Sequence, residues 1–188
     1  MHPKFALTIL FCALAGSVSA QNRVSEIQLS KITRDLITTP QFNYSGAEQQ
    51  RDTHDRWLKV EVQFSAVPEF TDEVTFKYYI LIGGKLLTGE VTHVNVLAGR
   101  ELYSCIYVPP HALAYVLGNR PPNANSVENV AVQVVHKGEV KDELSLVRAR
   151  AQWFASLPAV AGFVLNKNET PFAPLFWGHY EQIKPIGH

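Results

Sequence analysis

The sequence contains little cysteine, with two cysteines among 188 residues. Cys12 lies in an apolar run near the N-terminus, so a chain cleaved after that run keeps Cys105 alone and has no internal disulfide. Small exported domains with weak cores usually depend on disulfides, but a chain of this length can bury enough apolar surface without them. Cys105 lies in ELYSCIYV, a strand-like stretch, where a free cysteine is typically a buried and unreactive thiol.

A long apolar run is also missing. The longest run, FALTILFCALAG, has about a dozen residues, whereas a membrane-spanning helix needs about 20. The run follows Lys4 and precedes Val18 and Ala20, which are small residues at the two positions that signal peptidase recognises. The pattern predicts a signal peptide over residues 1–20, cleaved after Ala20, and one domain over residues 21–188. We expect that domain in the periplasm, at the outer-membrane surface or secreted.

Charge of one sign is not in excess, because 17 basic residues balance 17 acidic ones. A nucleic-acid-binding protein usually carries a basic patch or stripe, and a protein bound to an anionic membrane surface usually carries a polybasic segment. The sequence has neither. We therefore predict no nucleic-acid partner. Because no second long apolar stretch follows the first, we also predict no transmembrane segment in the mature chain.

The sequence also has no recognisable catalytic motif. The chain has no Gly-x-Ser-x-Gly elbow, no cysteine with a neighbouring histidine motif and no phosphate-binding glycine loop. Asp52, His54 and Asp55 lie close together, but a metal site needs at least three ligands with fitting geometry, and a solvated charged loop explains them better. We predict no catalytic residues, no metal, no cofactor and no enzymatic activity. A secreted hydrolase with a dispersed site is the remaining enzymatic alternative.

Period-two alternation of apolar and polar residues is the clearest pattern that is present. In WLKVEVQF the residues from Leu58 to Phe64 alternate, which is typical of a strand with one buried face. Similar stretches are IQLSKITRDL, EVTFKYYILI, KLLTGEVTHVNV, ELYSCIYV and NVAVQVVHKGEVKDELSL. Gly83-Gly84 and Lys137-Gly138 mark hairpin turns, and PPHALAYVLG predicts a short helix. VRARAQWFASL fits both the period-two alternation of a strand and the 3.6-residue spacing of a helix. We favour a strand at its start.

About seven short strands with frequent turns and at most two short helices are typical of an antiparallel sandwich or barrel. Long helices do not alternate with the strands, which excludes a parallel α/β sheet. We therefore predict an all-β fold, an antiparallel β-sandwich in a single domain.

The C-terminal stretch NKNETPFAPLFWGHYEQIKP concentrates aromatic residues between prolines. Pro171 and Pro174 prevent a regular helix or a central strand. Because contiguous exposed aromatic patches are uncommon on monomers, we favour a segment that folds back over an end or edge of the sandwich. The alternative is a partner or ligand surface, whose candidate residues are Phe172, Phe176, Trp177 and Tyr180.

The stretch LNKNETPFAPLFWGHYEQIK, together with VSEIQLSKI and WLKVEVQF, resembles a family of exported immunoglobulin-like proteins of the Akkermansia type, from the Verrucomicrobia. These proteins are encoded with type IV pilus-like assembly genes. The resemblance covers most of the mature chain and implies an immunoglobulin-like sandwich, an extracytoplasmic location and a link to pilus assembly or cell-surface adhesion. It carries over no catalytic residues.

We therefore expect a non-enzymatic structural or interaction protein. Its partner would be a protein component of pilus or envelope assembly, bound by strand addition at a sheet edge. Homo-oligomers through edge strands would use the same mechanism. The alternative is a carbohydrate-binding module that stacks sugar rings on exposed aromatic side chains.

Overall fold

The computed structural model describes residues 26–42 and 55–185. Within these ranges the chain forms seven strands and one helix: β1 (Ile27–Thr38), β2 (Arg56–Ile82), β3 (Lys85–Val108), α1 (Pro110–Leu117), β4 (Val127–His136), β5 (Glu139–Ser145), β6 (Ala159–Val160) and β7 (Leu165–Asn166). The predicted all-β fold is confirmed. The signal peptide, Asp52 and His54 lie outside the described residues.

The strands form one sheet in the order β5-β4-β2-β3-β6, with β1 beside β2 and β7 beside β3. All of these pairs are antiparallel except the short β3–β6 pair. β1 pairs with the first half of β2 and β4 pairs with its second half. The two halves of β2 therefore have different neighbours, as two layers of a sandwich would.

β2 and β3 are long bent strands, which corrects the prediction of four separate short ones. The register of the β2–β3 pair shifts between Phe64 and Phe70, and such bulges bend a strand without ending it. Phe64 and Phe76 are twelve positions apart, which is roughly 40 Å along a straight strand. Their ring centroids are nevertheless 4.7 Å apart. The strand therefore doubles over, and its two halves face each other across the core.

The free edges of β1 and β5 come together and nearly close the sheet into a barrel. The backbone N–H of Leu29 donates to Oδ2 of Asp142 at 2.8 Å across this seam. The β1–β2 register shifts between Leu29 and Lys31, and the β4–β5 register shifts between Val134 and Val135. Bulges and charged residues at an edge oppose pairing with another chain. Strand addition at this seam is therefore disfavoured.

The main core combines inward side chains of β1 to β4 with one face of α1. Its largest fully buried members include Phe64, Phe76 and Tyr78. The helix follows the sequence pattern, since it begins at Pro110 and ends before Gly118, whose φ of 61° is the left-handed C-cap conformation.

The segment after β5 is not a strand, so the preference for a strand in VRARAQWFASL was wrong. Residues 148–152 are irregular, and Trp153–Ser156 forms a 3₁₀ turn. The side chains explain this, because Phe154 stacks on Tyr79 with ring centroids 3.7 Å apart. Trp153 Nε1 donates to Ser145 Oγ at 3.1 Å. Two consecutive anchoring aromatics suit a tight turn better than a strand, in which they would point to opposite faces.

Across residues 26–42 and 55–185, no helix has the length and apolar character that crossing a membrane requires.

Candidate functional site

The C-terminal segment, residues 165–185, lies on the outer face of the β1–β2–β3 half of the sheet. Outward positions there carry Trp57 and Tyr107 instead of the polar residues expected at a wet face. Phe172 stacks on Tyr107 with ring centroids 4.7 Å apart and meets Trp57 edge-on at 5.5 Å. Only 2% of Phe172 is exposed. The segment therefore adds a third layer with its own small aromatic core, which agrees with the fold-back prediction.

The start of this layer is fixed by a capped 3₁₀ turn. Asn166 and Glu169 cap each other's backbone N–H groups reciprocally. Lys167 is buried, and its ammonium donates to the carbonyl of Ala173 at 2.6 Å. Burial lowers the pKa of Lys167. These bonds hold the prolines and Phe172 in one place on the sheet.

Glu61 is the polar anchor under the middle of the layer. Tyr180 donates its hydroxyl hydrogen to Glu61 Oε2 at 2.6 Å, and Lys59 Nζ and His179 Nε2 lie 3.4 Å and 3.7 Å from the same oxygen. Burial raises the pKa of Tyr180 and keeps it a donor. Burial also raises the pKa of Cys105 to about 12. Cys105 is therefore a protonated, buried thiol, as the sequence predicted.

Replacing Tyr180 with phenylalanine is expected to lower the free energy of unfolding by about 1.5 kcal/mol, because a hydrogen bond to a charged group is lost. Chemical denaturation followed by circular dichroism measures the change. Tyr103→Phe is the matched control, because it keeps the ring on which His179 stacks at 4.4 Å. Equal stability of Tyr180→Phe and the wild-type protein would contradict the role assigned to the Glu61 contact.

The last residues of the C-terminal segment, 181–184, pair with the edge of β3 as a neighbouring strand would. The N–H of Val94 donates to the carbonyl of Gln182 at 2.9 Å, and the N–H of Lys184 donates to the carbonyl of Thr92 at 2.8 Å. His93 and Ile183 form the bridge between these bonds. This part of the β3 edge is already occupied, so a partner strand would first have to displace residues 181–184.

His93 ties this edge to the core through a chain of hydrogen bonds. Its Nδ1 lies 3.0 Å from the carbonyl of Glu181. A carbonyl only accepts, so Nδ1 carries the hydrogen and Nε2 of the neutral ring accepts from Ser104 Oγ at 2.8 Å. Ser104 Oγ in turn accepts from the hydroxyl of Tyr78 at 2.7 Å. Burial lowers the pKa of His93 to about 4.

The sequence alone does not indicate this network. Alternation along β3 could have placed His93 on the inward face with Val91. The partners Ser104, Tyr78 and Glu181 are remote in sequence, so nothing local indicated the chain of bonds.

Trp177 is at the tip of a tight turn on the outside of the third layer. The N–H of His179 donates to the carbonyl of Phe176 at 3.1 Å. Gly178 has a φ of 86°, and Trp177 is not among the residues with positive φ, which is the pattern of a type II turn. Trp177 is 92% exposed and Phe176 is 55% exposed. Phe176 also has a φ of 57°, a conformation that a bulky residue adopts only at a cost.

The four predicted surface aromatics therefore separate into two groups. Phe172 is buried on the inner side of the third layer, and Tyr180 is half-buried with its hydroxyl on Glu61. Phe176 and Trp177 are exposed, and we call Phe176–His179 the Trp177 turn. In the part of the chain that the structure describes, no three His, Cys, Asp or Glu side chains are placed to hold a metal ion.

A protein-family model matches residues 18–186, almost the whole chain. The chain belongs to this family. Family membership thus includes the aromatic third layer as well as the barrel, because the matched range runs past Tyr180. The comparison with curated protein sequences gives no significant match.

A crystal structure of a protein from Akkermansia muciniphila is similar to this structure, with a TM-score of 0.73. The sequences are 22% identical, and the match covers 86% of this chain and 94% of the other. At this identity the likeness shows a shared fold. It supports the Akkermansia-type resemblance noted in the sequence.

Proposed function

We propose that this protein is a non-enzymatic, extracytoplasmic interaction module, which binds a protein partner of the envelope through the Trp177 turn. The observation that carries the proposal is the exposure of Trp177 on a turn anchored at both sides. Phe172 fixes the chain before the turn, and Tyr180 fixes it after the turn. Trp is the residue most enriched at binding hot spots, and a preorganised anchor loses little entropy on binding.

The chemistry around Trp177 favours a protein partner over a sugar. A carbohydrate site combines an aromatic platform with polar groups that bind hydroxyls. Here the hydroxyl of Tyr180 is bonded to Glu61 and the ammonium of Lys167 to the carbonyl of Ala173. Phe176, beside Trp177, is exposed and apolar. The exposed imidazole of His179 stacks on Tyr103, and its Nε2 lies 3.7 Å from Glu61 Oε2. This arrangement suits insertion into an apolar pocket of a protein.

We further propose that the partner serves type IV pilus assembly or cell-surface adhesion. This step rests on the sequence resemblance. The mechanism differs from the edge-strand pairing expected from the sequence. Bulges protect the β1–β5 seam, and residues 181–184 cover part of the β3 edge. A side-chain anchor on the third layer is therefore the better candidate for the contact.

Trp177→Ala is expected to weaken partner binding about 30-fold or more, which corresponds to at least 2 kcal/mol for a hot-spot residue. Detergent-solubilised envelope is passed over the immobilised wild-type protein, and the captured subunit is purified. Its affinity for the two proteins is then measured by biolayer interferometry. Thermal unfolding should not change, because Trp177 is almost fully exposed.

Tyr115→Ala is the matched control, since Tyr115 is an exposed aromatic on α1 and is 59% exposed. Equal binding by wild type and Trp177→Ala would refute the anchor role. Glycan-array binding by wild type that is lost in Trp177→Ala would favour the carbohydrate-binding alternative instead.

A further inference from the structure

Residues 180–184 connect the two halves of β3 on the edge that β2 does not use. The N–H of Glu181 donates to the carbonyl of Tyr103, in the second half of the strand, at 3.4 Å. The residues that follow pair with residues 92–94, in its first half. Ile183 packs against the main core from this position. We call residues 180–184 the closing segment, because they complete the sheet at this edge.

The closing segment is held by contacts with the barrel. The hydroxyl of Tyr180 donates to Glu61 of β2, and the ammonium of Lys184 pairs with the carboxylate of Glu73 on the same strand. The backbone bonds of the segment go to β3. A second copy of the chain has the same β2 and β3, so it can bind the closing segment through the same atoms. Exchange of the segment between two copies therefore preserves these contacts.

The Trp177 turn joins the closing segment to the rest of the third layer, and its backbone is strained. Phe176 has a φ of 57° and Gly178 has a φ of 86°. A bulky residue adopts a positive φ only at a cost, and an extended chain at the same place removes that cost. Phe172 holds the chain before the turn on its own barrel. Short strained connections of this kind favour the exchange of an element between copies.

We propose that two copies of this protein exchange their closing segments and form a dimer in which the Trp177 turn is extended. Each copy keeps Phe172 on its own barrel and places Tyr180 and Ile183 on the barrel of the other copy. The β3 edge of each copy is then completed by the other, with the same interface on both sides, as in a twofold dimer. The dimer loses the entropy of association and gains two relaxed turns, so its population rises with protein concentration.

The exchange also removes the anchor that binding to an envelope partner needs. In the dimer Trp177 lies on an extended connection instead of a turn held on both sides. It therefore loses the preorganisation that limits the entropy cost of binding, and the monomer is the form that binds the partner. This consequence rests on the proposed function, whereas the exchange itself involves no other protein.

Gly178→Val tests the hinge. A β-branched residue is disfavoured at a φ of 86°, but among the described residues no atom outside the adjoining ones lies within 4 Å of the added Cβ. The substitution therefore strains the closed turn without a clash. Size-exclusion chromatography with light scattering, run over a range of concentrations of the whole protein, measures the association constant. We expect it to rise at least about tenfold, because each dimer relaxes two turns. Phe176→Asn should lower it about threefold or more, because asparagine tolerates a positive φ.

Gly162→Val is the matched control. Gly162 has the same φ of 86° and equal room for a Cβ, but it lies outside the hinge. Its association constant should equal that of the wild-type protein. Thermal unfolding checks that each variant is folded, and Phe176→Asn decides the test if Gly178→Val does not fold. A protein that stays monomeric in every form, or a dimer whose association constant does not respond to the hinge variants, would overturn the proposal.

Mixed disulfides test whether the dimer is an exchanged one. The N–H of Val94 donates to the carbonyl of Gln182, so the two residues lie opposite each other at the β3 edge. Val94→Cys and Gln182→Cys are made in separate chains, mixed at high concentration and oxidised, while Cys105 stays buried in both. We expect a disulfide between the two chains, and none when Val94→Cys is oxidised alone. A dimer that forms without this disulfide would refute the exchange. The proposal for Trp177 would be unaffected, because the experiment contains no envelope partner.

Discussion

Replacing Phe172 with alanine is expected to lower the free energy of unfolding by about 3–5 kcal/mol, the usual range for truncating a buried phenylalanine. Phe172 is 2% exposed, stacks on Tyr107 and meets Trp57 edge-on. Its removal leaves a cavity under the third layer and removes two aromatic contacts. The prolines on either side limit how far the segment can move to fill that space.

Urea denaturation measures this change in a Trp153→Phe, Trp177→Phe background, in which fluorescence of the remaining Trp57 reports on the third layer and circular dichroism on the barrel. Phe176→Ala is the matched control, because Phe176 belongs to the same segment but is 55% exposed. Its expected effect is within about 0.5 kcal/mol of zero. A loss below about 1 kcal/mol for Phe172→Ala would mean that the segment is not packed as described.

The two probes also decide whether the layer unfolds alone. If Trp57 fluorescence changes at lower urea concentration than circular dichroism, the third layer detaches before the barrel opens. In that case Phe172→Ala should also weaken partner binding by the Trp177 turn, although Phe172 itself does not reach the surface. Coincident transitions would mean that barrel and layer form one cooperative unit.

The strands were predictable from the sequence because alternation is a local property of consecutive residues. The sequence did not predict that four of these strands join in pairs to form the long strands β2 and β3. The stretch SAVPEF contains Pro68 and interrupts the alternation, which suggests a turn between strands. In the structure the same interruption is a bulge, and pairing with β3 resumes at Phe70. Whether an interruption ends a strand or bends it depends on the partner strand.

The inward position of Arg34 was hidden by a similar irregularity. Simple alternation from Ile27 and Leu29 places Lys31 and Thr33 on the buried face. The register shift between Leu29 and Lys31 moves Ile32 and Arg34 there instead. A shift of one residue exchanges the two faces of a strand, so the inward position of Arg34 could not be found before the pairing was known.

The sequence also did not show that Phe172 is buried and Trp177 is exposed. Both lie in one aromatic stretch between prolines. Phe172 is buried because Trp57 and Tyr107, on β2 and β3, face outward beneath it. Trp177 is exposed because the turn at Gly178 directs it away from the sheet. The burial of each residue is therefore set by distant strands and by backbone geometry.

Acidification from pH 7 to pH 4 is expected to lower the free energy of unfolding by up to about 3 kcal/mol through His93 alone. Burial lowers its pKa to about 4 in the folded protein, below the ordinary histidine value of 6.5. Between these values the unfolded chain binds the proton and the folded chain does not. Folding stability therefore falls as the pH falls through this window, by about 1.4 kcal/mol for each unit of pKa difference.

The hydrogen bonds explain why the folded protein disfavours the charged form. Neutral His93 satisfies both ring nitrogens, with Nδ1–H on the Glu181 carbonyl and Nε2 accepting from Ser104. A proton on Nε2 would make Ser104 Oγ an acceptor from His93. Among these three groups, either the Ser104 or the Tyr78 hydroxyl hydrogen would then have no acceptor inside the core, where an unsatisfied polar group is costly. A charge in the same place adds a desolvation penalty.

Urea denaturation of wild type and His93→Gln at pH 7, 6, 5 and 4 isolates this contribution. All other ionisable groups are the same in both proteins, so the difference between the two curves belongs to His93. We expect the wild-type protein to lose about 3 kcal/mol more than the variant across the range. Parallel curves would contradict the assignment. Hydrogen exchange at residues 181–184 should rise first on acidification, because His93 bonds directly to the segment that covers the β3 edge.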